Sequence, residues 1–301
     1  MLDKLEMFIA LARERHFGRA AESLNLSQPT LSANIKQLEE ILGTQLVFRG
    51  SRFGGLTPEG QSALSWARRI VADSRQMRDE LRAKRHGLAG EVRLAVIPTA
   101  LTWAANLSSE FRKTHPRVRF TILSRTSREI LAMLENFEVD AGISYLDNEP
   151  LGRVDTLPIY REDYMAVCGT GHPLAQGKRA CWADLDGIPL ALLTPDMQNR
   201  RIVDQRLSEV GAKAGPCIES NSIVVLIASA LAGECVAILP TDMARFLATG
   251  HDLALLPLDA HGTGHSVGLI LPHRDPRTPV LEALNLKAEV LARDGQRLLD
   301  A

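Results

Sequence analysis

Apolar positions recur at helical spacing through the first ninety residues; beyond them, short apolar runs alternate with amphipathic stretches. Leu5, Phe8, Ile9 and Ala12 mark one helix, and Phe17, Ala20, Ala21 and Leu24 a second, shorter one. A turn at Asn25-Leu26-Ser27 leads into a third, with Ser27 as its N-cap and Pro29 in a first turn where a missing N–H costs nothing. Small Ala20 and Ala21 allow close crossing, so the pattern predicts a helix-turn-helix. At 100° per residue, Leu31, Ile35, Leu38 and Leu42 form the buried stripe of the third helix. Pro29, Thr30, Ser32, Ala33, Lys36 and Gln37 take the remaining arc, with Gln28 at its exposed N-terminal end.

That arc is compact and polar enough to enter a major groove about 12 Å wide. Gln28 suits an adenine edge, Ala33 a thymine methyl, and Thr30 and Ser32 at the helix start suit phosphate. Two short extended pieces around Gly50-Ser51-Arg52-Phe53-Gly54-Gly55 predict a hairpin wing, whose Arg49 and Arg52 are placed to neutralise phosphates. Thr57, at the cap of the next helix, joins this DNA-contact set. From Pro58 no breaker interrupts the pattern until Gly87 except Gly60 in the first turn, giving a rod about 43 Å long. Ala63, Ala67, Ile70, Ser74, Met77 and Leu81 fall at 4-3-4-3-4 spacing along it, a thin heptad seam for dimerisation or for packing on its own domain.

After Gly87-Leu88-Ala89-Gly90 the pattern changes to strand, helix, strand, helix, strand over Val92–Ile97, Ala100–Thr114, Val118–Leu123, Arg128–Asn136 and Asp140–Tyr145. A second set follows at Leu190–Leu193, Arg201–Val210, Cys217–Ser220, Ser222–Ala232 and Val236–Leu239, then a strand at Val267–Leu271 and a helix at Pro279–Arg293. The alternation predicts α/β lobes with parallel sheets and right-handed crossovers. Ligands in such sheets bind beyond the carboxyl ends of the strands. Pro98-Thr99, Thr126-Ser127 and Asn221-Ser222 lie at such ends, and Arg200 or Arg201 would supply positive charge, so a small carboxylate or similar anion is the expected ligand.

Composition narrows these readings. The 301 residues are 45% hydrophobic and 24% charged, enough for two domains and too apolar for disorder. Residues 1–90 carry a balance of +4 and the remainder −5 within a net −1, so any nucleic acid must meet a local patch. The four cysteines are too scattered for a C-x-x-C site or a disulfide scaffold, the acidic start argues against export, and the longest greasy run is too short for a bilayer. A cytoplasmic location without a membrane partner is expected. His261 and His265 lack a third metal ligand nearby, no G-x-S-x-G elbow occurs, and the Gly171–Gly177 stretch has the wrong spacing for a phosphate loop. Neither an enzyme nor a bound cofactor is expected.

Ser27-Gln28-Pro29-Thr30-Leu31-Ser32, with Ile35, Leu38-Glu39, Leu42-Gly43, Leu46, Arg49, Leu56-Thr57-Pro58 and Gly60, resembles the amino-terminal signature of LysR-type transcriptional regulators. Phe8, Phe17 and Ala20-Ala21 fit the same pattern. Two departures touch the wing: Leu46-Val47-Phe48-Arg49 replaces Leu-Phe-x-Arg, and Gly55 stands where a branched residue is usual. Asp140-Ala141-Gly142-Ile143, His172-Pro173-Leu174 and Gly233–Pro240 look like landmarks of the family's effector domain, with Cys235 in place of a usual Gly. The resemblance implies a winged helix-turn-helix over 1–58, a linker helix over 59–89 and a periplasmic-binding-protein-like effector domain over 90–301. Its first subdomain would take about 90–160 and 268–301, and its second about 161–267. In that family, positions matching Thr99 and Ser127 line the inducer cleft. The implied partners are double-stranded DNA, a small-molecule effector and a second copy of the chain, as dimer or tetramer. Two readings stay open beside it: a small-molecule binder or enzyme using the helical segment only to dimerise, and a thiol sensor needing two cysteines close in space.

Overall fold

The computed structural model describes residues 1–48, 53–147, 152–259, 264–273 and 277–299. Two compact units divide the chain, Met1–Leu88 and, from Ala89 on, the rest, with the short segment Glu135–Glu138 grouped to the first.

The first unit holds α1 (Leu2–Glu14), α2 (Phe17–Ser23), α3 (Gln28–Leu42) and α4 (Pro58–His86). Its core is Leu5, Phe8, Leu11, Ala20, Ala21, Leu31, Ile35 and Leu38, joined by Leu46, Val47, Ala67 and Val71. The caps follow the sequence. Ser27 Oγ accepts from the Thr30 amide at 3.2 Å, and α3 ends on Gly43 in the left-handed region. Leu42, expected in the buried stripe, is exposed, and Glu39 is buried in its stead. The Glu39 carboxylate accepts from the amides of Leu46 at 2.8 Å and Val47 at 3.2 Å, fixing the chain as it enters the wing. Among the described residues at the base of the wing, Val47 bridges Leu56 antiparallel, and the Phe48 amide donates to Gly55 O at 3.1 Å. Gly55, unexpected in its family pattern, has φ +105°, where a branched side chain would be strained. A Cβ at Gly60 would sit 2.0 Å from Leu46 O, so only glycine lets α4 begin against the wing.

Among the described residues the second unit contains two five-stranded sheets. The first uses β1 (Gly90–Val96), β2 (Val118–Ser124), β3 (Ala141–Tyr145), β4 (Val154–Glu162) and the late strand β10 (His265–Pro272), in the order β2-β1-β3-β10-β4. It is flanked by α5 (Leu101–Thr114), α6 (Ser127–Glu135) and α10 (Pro279–Leu299). The second sheet uses β5 (Tyr164–Gly169), β6 (Leu190–Leu193), β7 (Pro216–Ser220), β8 (Val236–Pro240) and β9 (Leu253–Pro257), in the order β7-β6-β8-β5-β9. Its helices are α7 (Gln198–Glu209), α8 (Ile223–Leu231) and α9 (Thr241–Ala248). The chain passes from one sheet to the other between Glu162 and Tyr164 and returns before His265.

The sheets are mixed, which corrects the all-parallel expectation. β1 runs parallel to β2 and β3, and β6 parallel to β7 and β8, as strand-helix-strand units require. The strands that carry the chain between lobes run the other way: β10 is antiparallel to β3 and β4, and β5 to β8 and β9. Pro158 lies in β4 at the sheet edge, where a missing N–H is tolerated. Among the described residues no helix is long and apolar enough to cross a membrane.

Candidate functional site: a recognition helix and an inter-sheet cleft

On the first unit, Gln28, Pro29, Thr30, Ser32, Ala33, Lys36 and Gln37 are all exposed on α3, opposite buried Leu31, Ile35 and Leu38. The face is therefore complete and open within its unit. The Thr30 hydroxyl shares a 2.7 Å hydrogen bond with Ser27 Oγ, and Lys36 is a loose 3.9 Å partner of Glu40. Thr57 does not belong to this face. It is buried, its hydroxyl donates to Gln45 O at 2.7 Å and accepts from the Gly60 amide at 2.9 Å, and so it caps α4. Arg49 and Arg52 lie outside the described residues.

The heptad seam splits in two. Ala67 is fully buried in the first unit's own core, with Ala63 packed against it, because small side chains let α1 lie close to α4. Ile70, Met77 and Leu81 are exposed, Ser74 is half-buried between them, and Trp66 extends the row one turn earlier. Trp66 was legible in the sequence as an apolar residue four before Ile70.

In the second unit the carboxyl ends of the strands open on a cavity of about 700 Å³ between the two sheets. Pro98, Thr126, Asn221 and Ser222 line it, joined by Leu101, Met197, Ile223, Met243, Phe246 and Leu247. Thr126 and Glu129 cap α6 reciprocally, at 2.8 and 3.2 Å. Pro98, Thr126 and Met197 also border a recess of about 10 Å³ formed with Thr99, Ser127, Tyr145, Gln198 and Asn199. Thr99 and Ser127, each 3% exposed, make no hydrogen bond of normal length through their hydroxyls. Buried hydroxyls ordinarily find partners, so this pair marks a place prepared for a polar group.

Behind the recess lies Glu162, 2% exposed, where the chain crosses between sheets. Its Oε1 accepts from the hydroxyls of Tyr145 at 2.5 Å and Tyr164 at 2.7 Å and from Asn199 Nδ2 at 3.5 Å, while Oε2 has no partner. Burial pushes the Glu162 carboxyl above its ordinary range, and the two tyrosines, Thr99 and Asn199 hold it partly back. Tyr145 and Tyr164 are driven well above the usual phenol value, by burial first and then by the Glu162 charge. Tyr145 comes from the first sheet, Tyr164 from the second and Asn199 from α7 beside it, so one carboxylate ties both lobes together. The sequence reading missed this cluster, whose members stand far apart in the chain.

Arg200 and Arg201 do not reach the cavity. Arg200 is buried, 2.7 Å from Asp204 and 2.5 Å from Glu219, and donates to Leu193 O at 2.9 Å. Burial lowers its pKa, but the two carboxylates carry it above the usual value. Arg201 turns to Gln198 Oε1 and Asp196 O. Both guanidiniums therefore fasten α7. The four cysteines are free; Cys168 and Cys235 are buried. Burial, with Cys217 beside it, pushes the Cys235 thiol up to about 11, and Cys217 Sγ bonds Leu190 O at 3.4 Å. Among the described residues no cluster of three or more metal-binding side chains occurs; His261 lies outside them, and burial lowers the pKa of His265 on β10.

An exposed recognition helix in one unit and a ligand-sized cleft in the other define a DNA-binding regulator with a small-molecule sensor. Residues 2–61 match the model for bacterial regulatory helix-turn-helix proteins of the lysR family, and residues 85–285 match the LysR substrate binding domain. The chain belongs to the LysR-type transcriptional regulators. It is 31% identical over 272 residues to a probable hydrogen peroxide-inducible genes activator of Mycobacterium avium, covering 88% of this chain and 86% of that one. It is 32% identical over 265 residues to an SDS degradation transcriptional activation protein of Pseudomonas sp., covering 85% and 84%. A full-length OxyR variant from Pseudomonas aeruginosa shares the fold, with TM-score 0.72 at 24% identity over 97% of this chain and 99% of that one. CbnR complexed with its target DNA gives 0.69 at 21% over the same shares. These relatives are regulators, not enzymes.

Proposed function

We propose that this regulator reads its operator through Gln28, Ser32, Ala33 and Gln37 of α3, with Thr30 and Lys36 on phosphate. Two copies join through Trp66, Ile70, Met77 and Leu81, and an effector held between the two sheets biases how the paired heads meet DNA. The reading assigns it to the cytoplasm, beside the DNA it controls. The observation that carries it is the complete, uncovered polar face of α3 within its unit. An effector acts only if it binds two arrangements unequally, and Glu162, held by donors from both lobes, is where a change of lobe angle would be felt.

Gel shifts with the DNA flanking the regulator's own coding sequence test this. Affinity should fall steeply with salt, Gln28→Ala should relax sequence preference at a cost of about 1–3 kcal/mol, and Lys36→Ala should weaken all sequences alike with a shallower salt slope. Salt-independent binding, or equal loss on every sequence for both variants, would count against it. The peroxide response named for the Mycobacterium avium relative finds little support in these cysteines. The pair Cys217 and Cys235 is close in space, but a buried thiol raised to about 11 is a poor nucleophile at neutral pH.

A further inference from the structure

Resting on the regulator reading, we infer that the effector is an uncharged, mainly apolar molecule whose polar end is a hydroxyl or amide, and not a small carboxylate. Size is the first argument. A cavity of about 700 Å³ suits a molecule of drug size, and a two-carbon acid would leave most of its wall uncovered. The wall is also apolar: Leu101 from the first lobe packs against the core of the second, beside Met197, Ile223, Met243 and Leu247. At the rim, Val224 and Phe246 are 67% and 65% exposed, apolar surface that a ligand body would cover.

Charge is the second argument. Among the described residues lining the cavity, Arg125 is the single basic one, against Glu129 and Asp196. Arg200, the cation expected to meet an anion, is already held by Asp204 and Glu219. The partial positive charge at the start of α6 is likewise answered, since Glu129 accepts from the Thr126 amide. An entering carboxylate would lose its hydration, meet no buried cation among these residues and face the Glu162 carboxyl behind the recess.

Hydrogen-bond polarity is the third. Tyr145 spends its proton on Glu162, and the Asn199 amide nitrogen turns to Glu162 and to the Tyr164 hydroxyl. Both residues line the recess, and these bonds commit their donor protons. Ser127 adds a buried hydroxyl that can accept as well as donate, and the Thr99 hydroxyl, which leans toward Glu162, keeps an acceptor side. An O–H or amide N–H meets an acceptor here, and a carboxylate brings neither.

The test measures calorimetric affinity of the full-length protein for an isosteric pair, 4-phenylbutanamide and 4-phenylbutanoate, with acetate as the small acid. The amide should bind at least tenfold more tightly than the carboxylate, and acetate should not register. Thr99→Val with Ser127→Ala should shrink the amide's advantage to about threefold or less. Glu162→Gln, which keeps the shape, should raise carboxylate affinity toward that of the amide. Tighter binding of either acid, or no binding of the amide at millimolar concentration, overturns the inference. Gel shifts on the same preparations separate the two readings: salt-dependent DNA binding without amide binding sinks only this inference, whereas amide binding without DNA binding sinks the regulator reading.

Discussion

The two units keep their working surfaces in opposite places. In the first, the residues assigned to DNA stand on the outside of α3 because a finished core, Leu31, Ile35 and Leu38, occupies its other side. In the second, the polar groups of the site are interior and come from five separate segments: Thr99 after β1, Ser127 at the start of α6, Tyr145 ending β3, Glu162 ending β4 and Asn199 in α7. A convex site needs one helix and its periodicity. A concave one needs the whole topology, and its chemistry depends on which donors are already spent.

The largest test of this division removes the core beneath the convex site. Leu31 is fully buried, and Leu31→Ala should cost about 2–5 kcal/mol and abolish operator binding. Denaturant melts should show the first unit destabilised, while calorimetric binding of 4-phenylbutanamide is unchanged. Loss of both activities together would mean that the units do not stand on separate cores. A smaller effect is expected at Glu39, whose carboxylate holds the amides of Leu46 and Val47. Glu39→Ala leaves two buried donors unmet, at about 1–3 kcal/mol, with Glu39→Gln restoring much of the loss through its remaining oxygen. Equal destabilisation by both variants would show that the charge matters more than the acceptor.

The same contrast explains what the sequence disclosed. The helix-turn-helix was legible because caps, periodicity and small residues all point one way at Ser27, Pro29 and Ala20-Ala21. Its errors are single-residue errors: Leu42 and Glu39 exchange places because the wing's amides draw the carboxylate inward, and Thr57 is spent as a cap. Ala67 shows that heptad spacing does not say which neighbour a seam meets. In the second unit the strand-helix-strand runs were readable, and so were the strand ends at Pro98, Thr126 and Ser222. The antiparallel strands β4, β5 and β9 were not, since they break the alternation that organised the reading, and β4 carries Pro158. Arg200 looked like a ligand's partner because sequence spacing could not show Glu219 from a neighbouring strand. Glu162 had no local signal, being one of two adjacent acids, with Asp163, where β4 gives way to β5.

The smallest expected effect is a pH profile, and it concerns that acid. Burial raises the Glu162 carboxyl in the native state, so between the ordinary carboxylate value of about 4.3 and the raised one the folded chain holds a proton that the unfolded chain has released. Its contribution to stability is therefore full below the ordinary value and is lost as pH rises through the native one. Glu162→Gln carries no such proton. Urea melts from pH 4 to 8 should show the wild type losing stability relative to Glu162→Gln as pH climbs, by about 1.4 kcal/mol for every tenfold by which folding tightens the hold on that proton. Asp155 titrates in the opposite sense and in a lower window. The hydrogen bonds of Arg277 and His273 hold its pKa down, so its contribution fades only as pH falls below the ordinary aspartate range. The two windows lie on either side of about pH 4, so the profile separates them. Parallel curves for wild type and Glu162→Gln would mean that the tyrosine hydroxyls already offset the burial of the charge, and the acceptor polarity assigned to the recess would then have to come from Tyr145 and Asn199 alone.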